Sequence, residues 1–213
     1  IFQVRNNKSL VFPEWIDSIP EGCFAGCTSL KEVIIPDLIK NITIGKKYLI
    51  ISDTNVFPLY GEKLNDLLKK SGFKGNIFFF KAGEKSKNRK TKEKIEDFMF
   101  LNNYGRDSFI IALGGGVTGD LAGFVSATYN RGIPFFQIPT TIVSMVDSSV
   151  GGKTGVDTKF GKNLIGAFQQ PKAVFIDPSL LDTLSIKERI NGIAEIIKHA
   201  CIKDKELFAA LEN

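Results

Sequence analysis

The sequence is poor in cysteine and has no long apolar run. Three cysteines in 213 residues, Cys23, Cys27 and Cys201, are an odd and sparse set that argues against a disulfide framework and favours a reducing compartment. No apolar run is long enough to span a bilayer, and the first residues lack the architecture of a signal peptide. These absences predict a cytoplasmic protein. An initiating methionine is also absent, which is consistent with a piece of a longer chain.

The composition argues against disorder and leaves several kinds of partner open. An apolar fraction of 43% is sufficient for one large buried core or two modest ones. The net charge of +5 suits a nucleic acid, an acidic membrane surface or a phosphorylated small molecule. Phe78, Phe79 and Phe80 precede the most basic stretch, residues 81–94, but three consecutive rings cannot all face one side of a strand. They predict a buried strand, and we expect neither a nucleic acid nor a membrane as partner.

The first forty residues differ in character from the rest. Residues 18–36 resemble one unit of a leucine-rich repeat, although such a unit buries its apolar face only against stacked neighbours and we find one complete copy. Cys23 and Cys27 are interpreted as small residues packed inside this unit, since no second ligand pair follows that would complete a metal site. We therefore divide the chain into a repeat-like leader (1–40), an α/β domain (41–184) and the beginning of a helical domain (185–213).

From about residue 46 onward, short apolar runs alternate with segments of helical spacing. This alternation predicts a parallel sheet with helices on both faces, the Rossmann-like α/β class. The predicted strands are 47–52, 77–80, 108–113, 135–138 and 173–176, and the predicted helices are 59–70, 91–102 and 117–128. Four isoleucines then mark one face of a last helix that runs toward Cys201, namely Ile186, Ile190, Ile193 and Ile197.

A glycine turn joins the third predicted strand to a helix. Gly114, Gly115 and Gly116 allow backbone amides and a helix N-terminus to approach a pyrophosphate closely. Asp120 follows near the start of that helix, where it would accept a hydrogen bond from a cofactor hydroxyl or form part of the helix start. Tight packing of a strand against a helix also selects glycine, so this turn alone leaves both interpretations open.

A second polar segment, residues 147–155, combines hydroxyls, glycines and Lys153. It is similar to a phosphate-binding loop but lacks the spacing of a Walker motif, which disfavours nucleoside triphosphate hydrolysis. Lys162 with its neighbour Asn163, and Arg131, add cations and an amide that together suit a phosphate and a carboxylate. The alternative is a set of surface lysines on a flexible loop.

The last predicted helix carries Glu188, Glu195 and Lys198 on nearly one face. Glu195 and Lys198 are i, i+3 neighbours, for which an exposed ion pair is the ordinary explanation. His199 is four residues after Glu195, a spacing that sterically allows a carboxylate–imidazole metal pair. A structural role is favoured for this single histidine.

Read together, the motifs from about residue 46 to the C-terminus resemble the 3-dehydroquinate synthase family. They are residues 53–56 (DTNV), 83–87 (GEKSK), 112–124 (ALGGGVTGDLAGF), 131–133 (RGI), 139–141 (PTT), 147–155 (DSSVGGKTG), 161–168 (GKNLIGAF) and 192–199 (GIAEIIKH). Chance does not supply so long an ordered set.

The resemblance implies a lyase of the shikimate pathway that uses NAD and a divalent metal, usually zinc or cobalt. The implied reaction converts 3-deoxy-arabino-heptulosonate 7-phosphate into 3-dehydroquinate and phosphate. A ring hydroxyl is transiently oxidised, phosphate leaves next to the new ketone, the same nicotinamide reduces the ketone, and the ring opens and closes again by an aldol step. NAD is therefore catalytic, and the metal polarises the alkoxide and the ketone.

The resemblance also implies roles for individual residues. The positions similar to NAD contacts are Asp53, Asn55, Glu84, Lys87, Gly115, Gly116, Val117, Asp120, Thr140, Thr141, Thr183 and Leu184. The positions similar to the substrate-binding and catalytic set are Asp147, Lys153, Lys162, Asn163 and Lys198. Arg131 resembles a residue that reaches the site of a partner subunit, which implies a homodimer. Glu195 resembles the metal-binding glutamate, and His199 is not counted as a ligand.

The chain departs from the family at both ends. The family takes two further metal ligands, both histidines, from a later helical region, whereas His199 is the single histidine here. The family's first strands are replaced by the repeat-like leader. We therefore expect an incomplete metal site and low activity of this chain alone. Two alternatives stay open: a related sugar-phosphate cyclase that makes an inosose, a valiolone or an amino-dehydroquinate, and a non-catalytic interaction protein on a vestigial scaffold.

Overall fold

A computed structural model describes residues 45 and 47–212, together with the backbone of residues 25 and 26. The predicted leucine-rich-repeat-like leader therefore lies outside the described residues, apart from those two. Within the described residues the strands are β1 (Ala25–Gly26), β2 (Lys47–Asp53), β3 (Lys74–Phe80), β4 (Ser108–Gly114), β5 (Phe135–Pro139), β6 (Lys153–Thr158), β7 (Gly161–Phe168) and β8 (Ala173–Ile176). The α-helices are α1 (Glu62–Lys70), α2 (Arg89–Leu101), α3 (Gly116–Thr128), α4 (Ile186–Lys203) and α5 (Lys205–Leu211).

The main sheet is parallel, as the alternation of strands and helices predicts. Its strand order is β1-β8-β5-β4-β2-β3, and each adjacent pair is parallel. Successive residues of β2 point to opposite faces: Tyr48 and Ile50 enter a core that includes α1, whereas Leu49 and Ile51 enter a second core that includes α2 and α3. Both faces of the central strands are therefore covered by apolar side chains, and the α/β class is confirmed.

The order of the strands creates a crevice at one edge of the sheet. The chain runs from β2 to its neighbour β3 and then returns to the other side of β2 to form β4. The connections after β2 and β4 consequently leave the sheet in opposite directions. In open α/β sheets, ligands bind outside the carboxyl ends of the strands at such a reversal.

The edge strand β3 is less buried than the triple phenylalanine predicts. Phe80 is buried, but Phe79 is 48% exposed. Its ring stacks on that of Phe57 with centroids 4.4 Å apart. The prediction of a fully buried strand is wrong here because β3 has a neighbour on one side, β2, within the described sheet.

Residues 153–168 form an antiparallel hairpin of β6 and β7, so the end of the predicted phosphate-binding segment 147–155 is a strand, whereas residues 149–152 form a turn before it. Thr154 and Val156 of β6 are buried toward α3, where a Cβ on Gly123 would lie 2.3 Å from the Thr154 Cγ2 atom. The close approach of helix and strand therefore requires glycine at this position. The many glycines and hydroxyls of the segment obscured the two-residue alternation that indicates a strand.

Helix α4 confirms the last predicted helix but turns its isoleucines outward. Ile186 is 77% exposed and Ile190 is 61% exposed. The opposite side approaches the α/β domain so closely that a Cβ on Gly192 would lie 2.3 Å from the Cβ of Ile142. Among the residues that the structure describes, no helix is both long and apolar enough to cross a membrane.

Candidate active site

A cleft of about 600 Å³ lies at the carboxyl ends of β2 and β4. One wall comes from Asp53 at the end of β2 and from the turn at Gly115 and Gly116. The opposite wall comes from the start of α4, including Glu188. All the predicted NAD-contacting residues line this cleft except Lys87 and Asp120; those present are Asp53, Asn55, Glu84, Gly115, Gly116, Val117, Thr140, Thr141, Thr183 and Leu184.

The glycine turn presents the beginning of α3 to the cleft. Gly115 is the N-cap residue and offers no side chain to the first amides of the helix. A Cβ on Gly115 would lie 3.1 Å from Thr141 Cγ2, closer than an ordinary contact. Free amide N–H groups and the positive end of the helix dipole therefore face a space that a side chain at Gly115 would narrow, an arrangement suited to an anion.

Thr140 supplies a second polar group that fits a ligand. Its backbone N–H donates to the carbonyl oxygen of Gly114 at 3.0 Å, which fixes the residue against the glycine turn. Its hydroxyl oxygen is buried and has no hydrogen-bond partner among the described residues. An unpaired buried hydroxyl destabilises a fold by about 1–3 kcal/mol, so a ligand that pairs with it gains that free energy on binding.

Asp53 is held rigidly at the end of β2. Its Oδ1 atom accepts hydrogen bonds from the backbone N–H groups of Asn55 at 2.8 Å and Val56 at 3.1 Å. Its Oδ2 atom lies 3.5 Å from the hydroxyl of Thr118, a cleft residue that the sequence reasoning missed. Thr118 lies two residues into α3, directly after the glycine turn, and this position is the sequence signal that could have identified it as a cleft residue. The oriented carboxylate can accept hydrogen bonds from ligand hydroxyls.

The far wall of the cleft is tied together by a hydroxyl pair. The Tyr60 hydroxyl lies 2.6 Å from the Thr183 hydroxyl and also donates to the carbonyl of Leu180 at 3.3 Å. Tyr60 and Leu180 line the cleft with Thr183. These contacts connect the segment after β2 with the segment that precedes α4, and they fix the width of the cleft at this end.

Lys87 and Asp120 do not line the cleft and form an ion pair with each other. The Lys87 side chain is 6% exposed and that of Asp120 is 20% exposed. Burial raises the pKa of the Asp120 carboxyl, and the hydrogen bond from Lys87 opposes this shift. The backbone carbonyl of Lys87 also accepts from the N–H of Asp157 at 2.8 Å. The pair therefore fastens the loop after β3 to α3 and to the hairpin.

The predicted substrate-binding residues are divided between separate places. Lys153 and Asn163 surround a cavity of about 360 Å³ together with Asp120. Lys162 is exposed and its Nζ atom lies 3.1 Å from Glu84 Oε1, at the edge of the cleft. The structure therefore does not gather these residues around a single point.

Arg131 lies at the other end of α3 from the cleft. The helix begins at the cleft with Gly116 and ends at Thr128 after 13 residues, which span about 20 Å. Arg131 follows in a left-handed backbone conformation (φ 69°) and is exposed. It cannot complete the cleft of its own chain, so the predicted cluster of Arg131 with the two lysine segments is not formed within one chain.

A polar cluster lies where α4 contacts the short helix Ser144–Ser148. The Lys198 ammonium donates to Asp147 Oδ1 at 3.0 Å and to Glu195. Both hydrogen bonds raise the pKa of Lys198, and the one to Glu195 has the larger effect. His199 Nε2 lies 3.9 Å from Asp147 Oδ1. Each of the three residues Asp147, Glu195 and His199 offers a ligand atom, and these atoms lie within 4.8 Å of one another.

The strand order, the glycine turn and the polar crevice define a nucleotide-binding α/β domain. Comparison with known proteins narrows this class. The family model for the N-terminal region of 3-dehydroquinate synthase matches residues 77–191. The chain belongs to the 3-dehydroquinate synthase family.

Curated relatives and solved structures agree with this assignment. The chain is 54% identical over 180 residues to 3-dehydroquinate synthase of Prochlorococcus marinus (strain AS9601), covering 84% of this chain and 50% of the relative. It is 51% identical over 179 residues to the enzyme of Caldanaerobacter subterraneus subsp. tengcongensis, again covering 84% of this chain and 50% of the relative. The chain thus spans about half the length of the curated relatives it matches.

Among solved structures, the chain is similar to 2-epi-5-epi-valiolone synthase from Streptomyces hygroscopicus subsp. jinggangensis 5008, determined with NAD+ and Zn2+ bound. The TM-score is 0.79 and the identity 32%, covering 92% of this chain and 54% of that one. A 2-deoxy-scyllo-inosose synthase complexed with carbaglucose-6-phosphate, NAD+ and Co2+ gives a TM-score of 0.71 at 27% identity, over 78% of this chain and 46% of that one. An iron-containing alcohol dehydrogenase shares the fold at 20% identity, with a TM-score of 0.68 over 86% of this chain and 53% of that one.

Proposed function

We propose that this chain is the NAD-binding part of a 3-dehydroquinate synthase. The enzyme would convert 3-deoxy-arabino-heptulosonate 7-phosphate into 3-dehydroquinate and phosphate in the shikimate pathway, in the cytoplasm. The observation that carries the proposal is the cleft at the reversal of the sheet, lined by the residues that resemble the family's NAD contacts. The identity of 51–54% to curated 3-dehydroquinate synthases supports the same reaction.

The residues of the cleft fit the parts of a dinucleotide. Backbone amides at Gly115 and Gly116 would hold the pyrophosphate at the start of α3. The fixed carboxylate of Asp53 would accept hydrogen bonds from ribose hydroxyls, and the unpaired hydroxyl of Thr140 would gain a partner. Bound NAD supplies the reversible oxidation of a substrate hydroxyl, while the chain binds and orients it and excludes water from the cleft.

The polar cluster would serve the phosphate-bearing end of the substrate. Glu195 is the proposed metal ligand, and a bound divalent metal supplies polarisation of an alkoxide or carbonyl. Lys198 is held by Glu195 and Asp147 almost three helical turns from Glu188 of the cleft, which supports a role in binding the phosphate that leaves. Lys153, Lys162 and Asn163 of the hairpin would contribute further donors to the phosphate and carboxylate.

NAD binding to the isolated chain tests this proposal independently of turnover. Isothermal titration calorimetry is expected to show one NAD site per chain, weakened in Gly115→Val because the new side chain would meet Thr141. Gly72→Val, on a turn far from the cleft, is a poor control because its φ of +88° strains any side chain. Lys63→Ala on the exposed face of α1 is the better control and is expected to bind NAD normally. Absence of binding at millimolar NAD would contradict the proposal and favour a vestigial scaffold.

Turnover distinguishes the substrate. Phosphate release and dehydroquinate formation, measured with NAD and zinc, are expected to be low for the chain alone, since it spans half of its relatives. Another sugar-phosphate cyclase is the second candidate, favoured by the TM-score of 0.79 to the valiolone synthase. Inosose or valiolone formation without dehydroquinate, in a fusion that restores the remaining length of a relative, would select that candidate.

We also infer that the chain forms a homodimer. Arg131 lies away from its own cleft and is free to reach that of a second copy. Among the strands that the structure describes, β7 pairs with β6 alone, and its exposed side chains include Leu164 (62% exposed) and Phe168 (81% exposed). An open strand edge with apolar side chains favours pairing with the same edge of a second copy.

A further inference from the structure

We propose that Asp147, Glu195 and His199 form a binding site for a divalent transition metal within this chain. This proposal extends the metal dependence proposed above, and it rests on that proposed function only for the role of Glu195 as a ligand. It adds Asp147 and His199, which the family resemblance does not count as ligands. The site would hold a metal without the two later histidines of the family.

The backbone already places the three ligands together. Glu195 and His199 are one turn apart on α4, so both side chains project from the same face of the helix. Asp147 approaches them from the short helix Ser144–Ser148, which contacts α4. Two rigid elements therefore supply the ligands, and a metal needs to order side chains but not to form a new backbone arrangement.

The distances are close to those of a ligated metal. The ligand atoms lie within 4.8 Å of one another, and His199 Nε2 is 3.9 Å from Asp147 Oδ1. Zinc bonds to nitrogen and oxygen of about 2.0–2.2 Å place tetrahedral ligands roughly 3.4 Å apart. The remaining contraction of about 0.5–1.5 Å is within the range of a side-chain rotation, given the known lengths of such bonds.

The ligand chemistry selects the kind of metal. Two carboxylates and one imidazole suit zinc or cobalt, whereas calcium and magnesium prefer oxygen ligands alone. The side chains are between 30% and 47% exposed, so water can reach the remaining coordination positions. Three protein ligands with an open position are typical of zinc sites that bind a further molecule.

Lys198 competes with the metal for the same carboxylates. Its ammonium hydrogen-bonds both Asp147 and Glu195. The side chain is 43% exposed and flexible, so it can rotate into solvent when a cation replaces it. Metal binding therefore has to displace a positive charge, and removal of that charge is expected to strengthen binding. A metal held in this way also occupies Asp147, so we expect metal binding without normal turnover.

Cobalt titration of the purified chain, without NAD or substrate, tests the site. The visible absorption of Co2+ reports its ligands, and 15N-labelled imidazole gives the NMR signals of one side chain because His199 is the single histidine. His199→Gln and Glu195→Gln are each expected to weaken Co2+ binding about tenfold or more, since loss of even an outer partner of a ligand has that effect. Lys198→Met is expected to strengthen it about fivefold, as removal of one nearby charge predicts.

Two controls separate this site from other binding. Cys201→Ser removes an exposed thiol two residues after His199 and is expected to leave Co2+ affinity unchanged. Glu188→Gln removes a carboxylate of the same helix and is also expected to leave it unchanged. Unchanged Co2+ affinity in His199→Gln, or a thiolate absorption band that Cys201→Ser abolishes, would overturn the proposal.

The outcomes remain interpretable whether or not NAD binds. A chain that binds NAD but gives no shift of the His199 imidazole signal with Co2+ contradicts this site and leaves the proposed function standing. A chain that binds Co2+ but not NAD contradicts the proposed function instead. A gain of Co2+ affinity in Lys198→Met cannot arise from misfolding, so that result supports the site. Unchanged or weaker binding of Co2+ in this variant counts against the site.

Discussion

Replacement of Asp120 by alanine is expected to destabilise the folded chain by about 3 kcal/mol, the lower end of the range for breaking a buried ion pair. The reason is that Lys87 keeps its ammonium in a site where its side chain is only 6% exposed. Without the carboxylate, that charge is buried without its partner. The magnitude depends on burial of the partner left behind, and not on the strength of the ion pair itself.

The reverse substitution is expected to have a smaller effect. In Lys87→Met the remaining Asp120 carboxyl is 20% exposed, so water still reaches it, and burial already raises its pKa. The carboxyl can retain water or accept a proton, and we expect a loss of about 1–2 kcal/mol, within the usual range for leaving a polar group unpaired. Asp120→Ala is therefore expected to be more destabilising than Lys87→Met, because it leaves behind the more deeply buried charge.

The double variant gives the sharpest test. Both charges lose most of their water in the folded chain, and the cost of that desolvation offsets their mutual attraction. Lys87→Met with Asp120→Ala should therefore lie within about 1 kcal/mol of the wild-type chain, because apolar replacement of a buried pair is often neutral. The non-additivity would be about 3 kcal/mol or more, as contacting residues show in double-mutant cycles.

Urea unfolding at pH 7, followed by circular dichroism, measures these differences. Glu84→Gln is the control, because its partner Lys162 is 71% exposed, and a change below about 0.5 kcal/mol is expected for such a surface pair. The reasoning is refuted if Asp120→Ala is no more destabilising than this control, or if the two single effects simply add.

Three further predictions concern the cleft, the pH dependence and the assembly. Thr140→Val should weaken NAD binding severalfold in calorimetry. It should leave or raise the thermal midpoint of the free chain, because the Thr140 hydroxyl has no hydrogen-bond partner among the described residues; lower stability with unchanged NAD affinity would contradict this. Because burial raises the folded pKa of Asp120, the contribution of this carboxyl to stability is present below about pH 3.9, its unfolded value, and is lost as pH rises through the folded pKa. Asp120→Asn should therefore flatten this part of the plot of unfolding free energy against pH. An unaltered slope would contradict the prediction. Leu164→Lys should shift the mass in light scattering from dimer to monomer, whereas a wild-type monomer would remove the dimer proposal.

The strands and helices of the sheet were predictable because each has a strong local signal. β2 and β4 are short apolar runs, and α2 and α3 repeat apolar residues at helical spacing. The hairpin of β6 and β7 was not predicted, since its buried side chains, Thr154 and Val156, stand among glycines and hydroxyls that are also typical of loops. β6 gains its burial from α3, which lies in another part of the sequence.

The candidate site shows the same division. By itself the sequence determined the α/β class and the glycine turn, because chain order fixes which strand end carries that motif, and its resemblance to a known family indicated most of the residues that line the cleft. Only the tertiary structure decided that Lys87 and Asp120 pair with each other, that Arg131 lies away from its own cleft, and that His199 meets Asp147. Those contacts join distant segments across packed elements, and their distances depend on packing that no local pattern records.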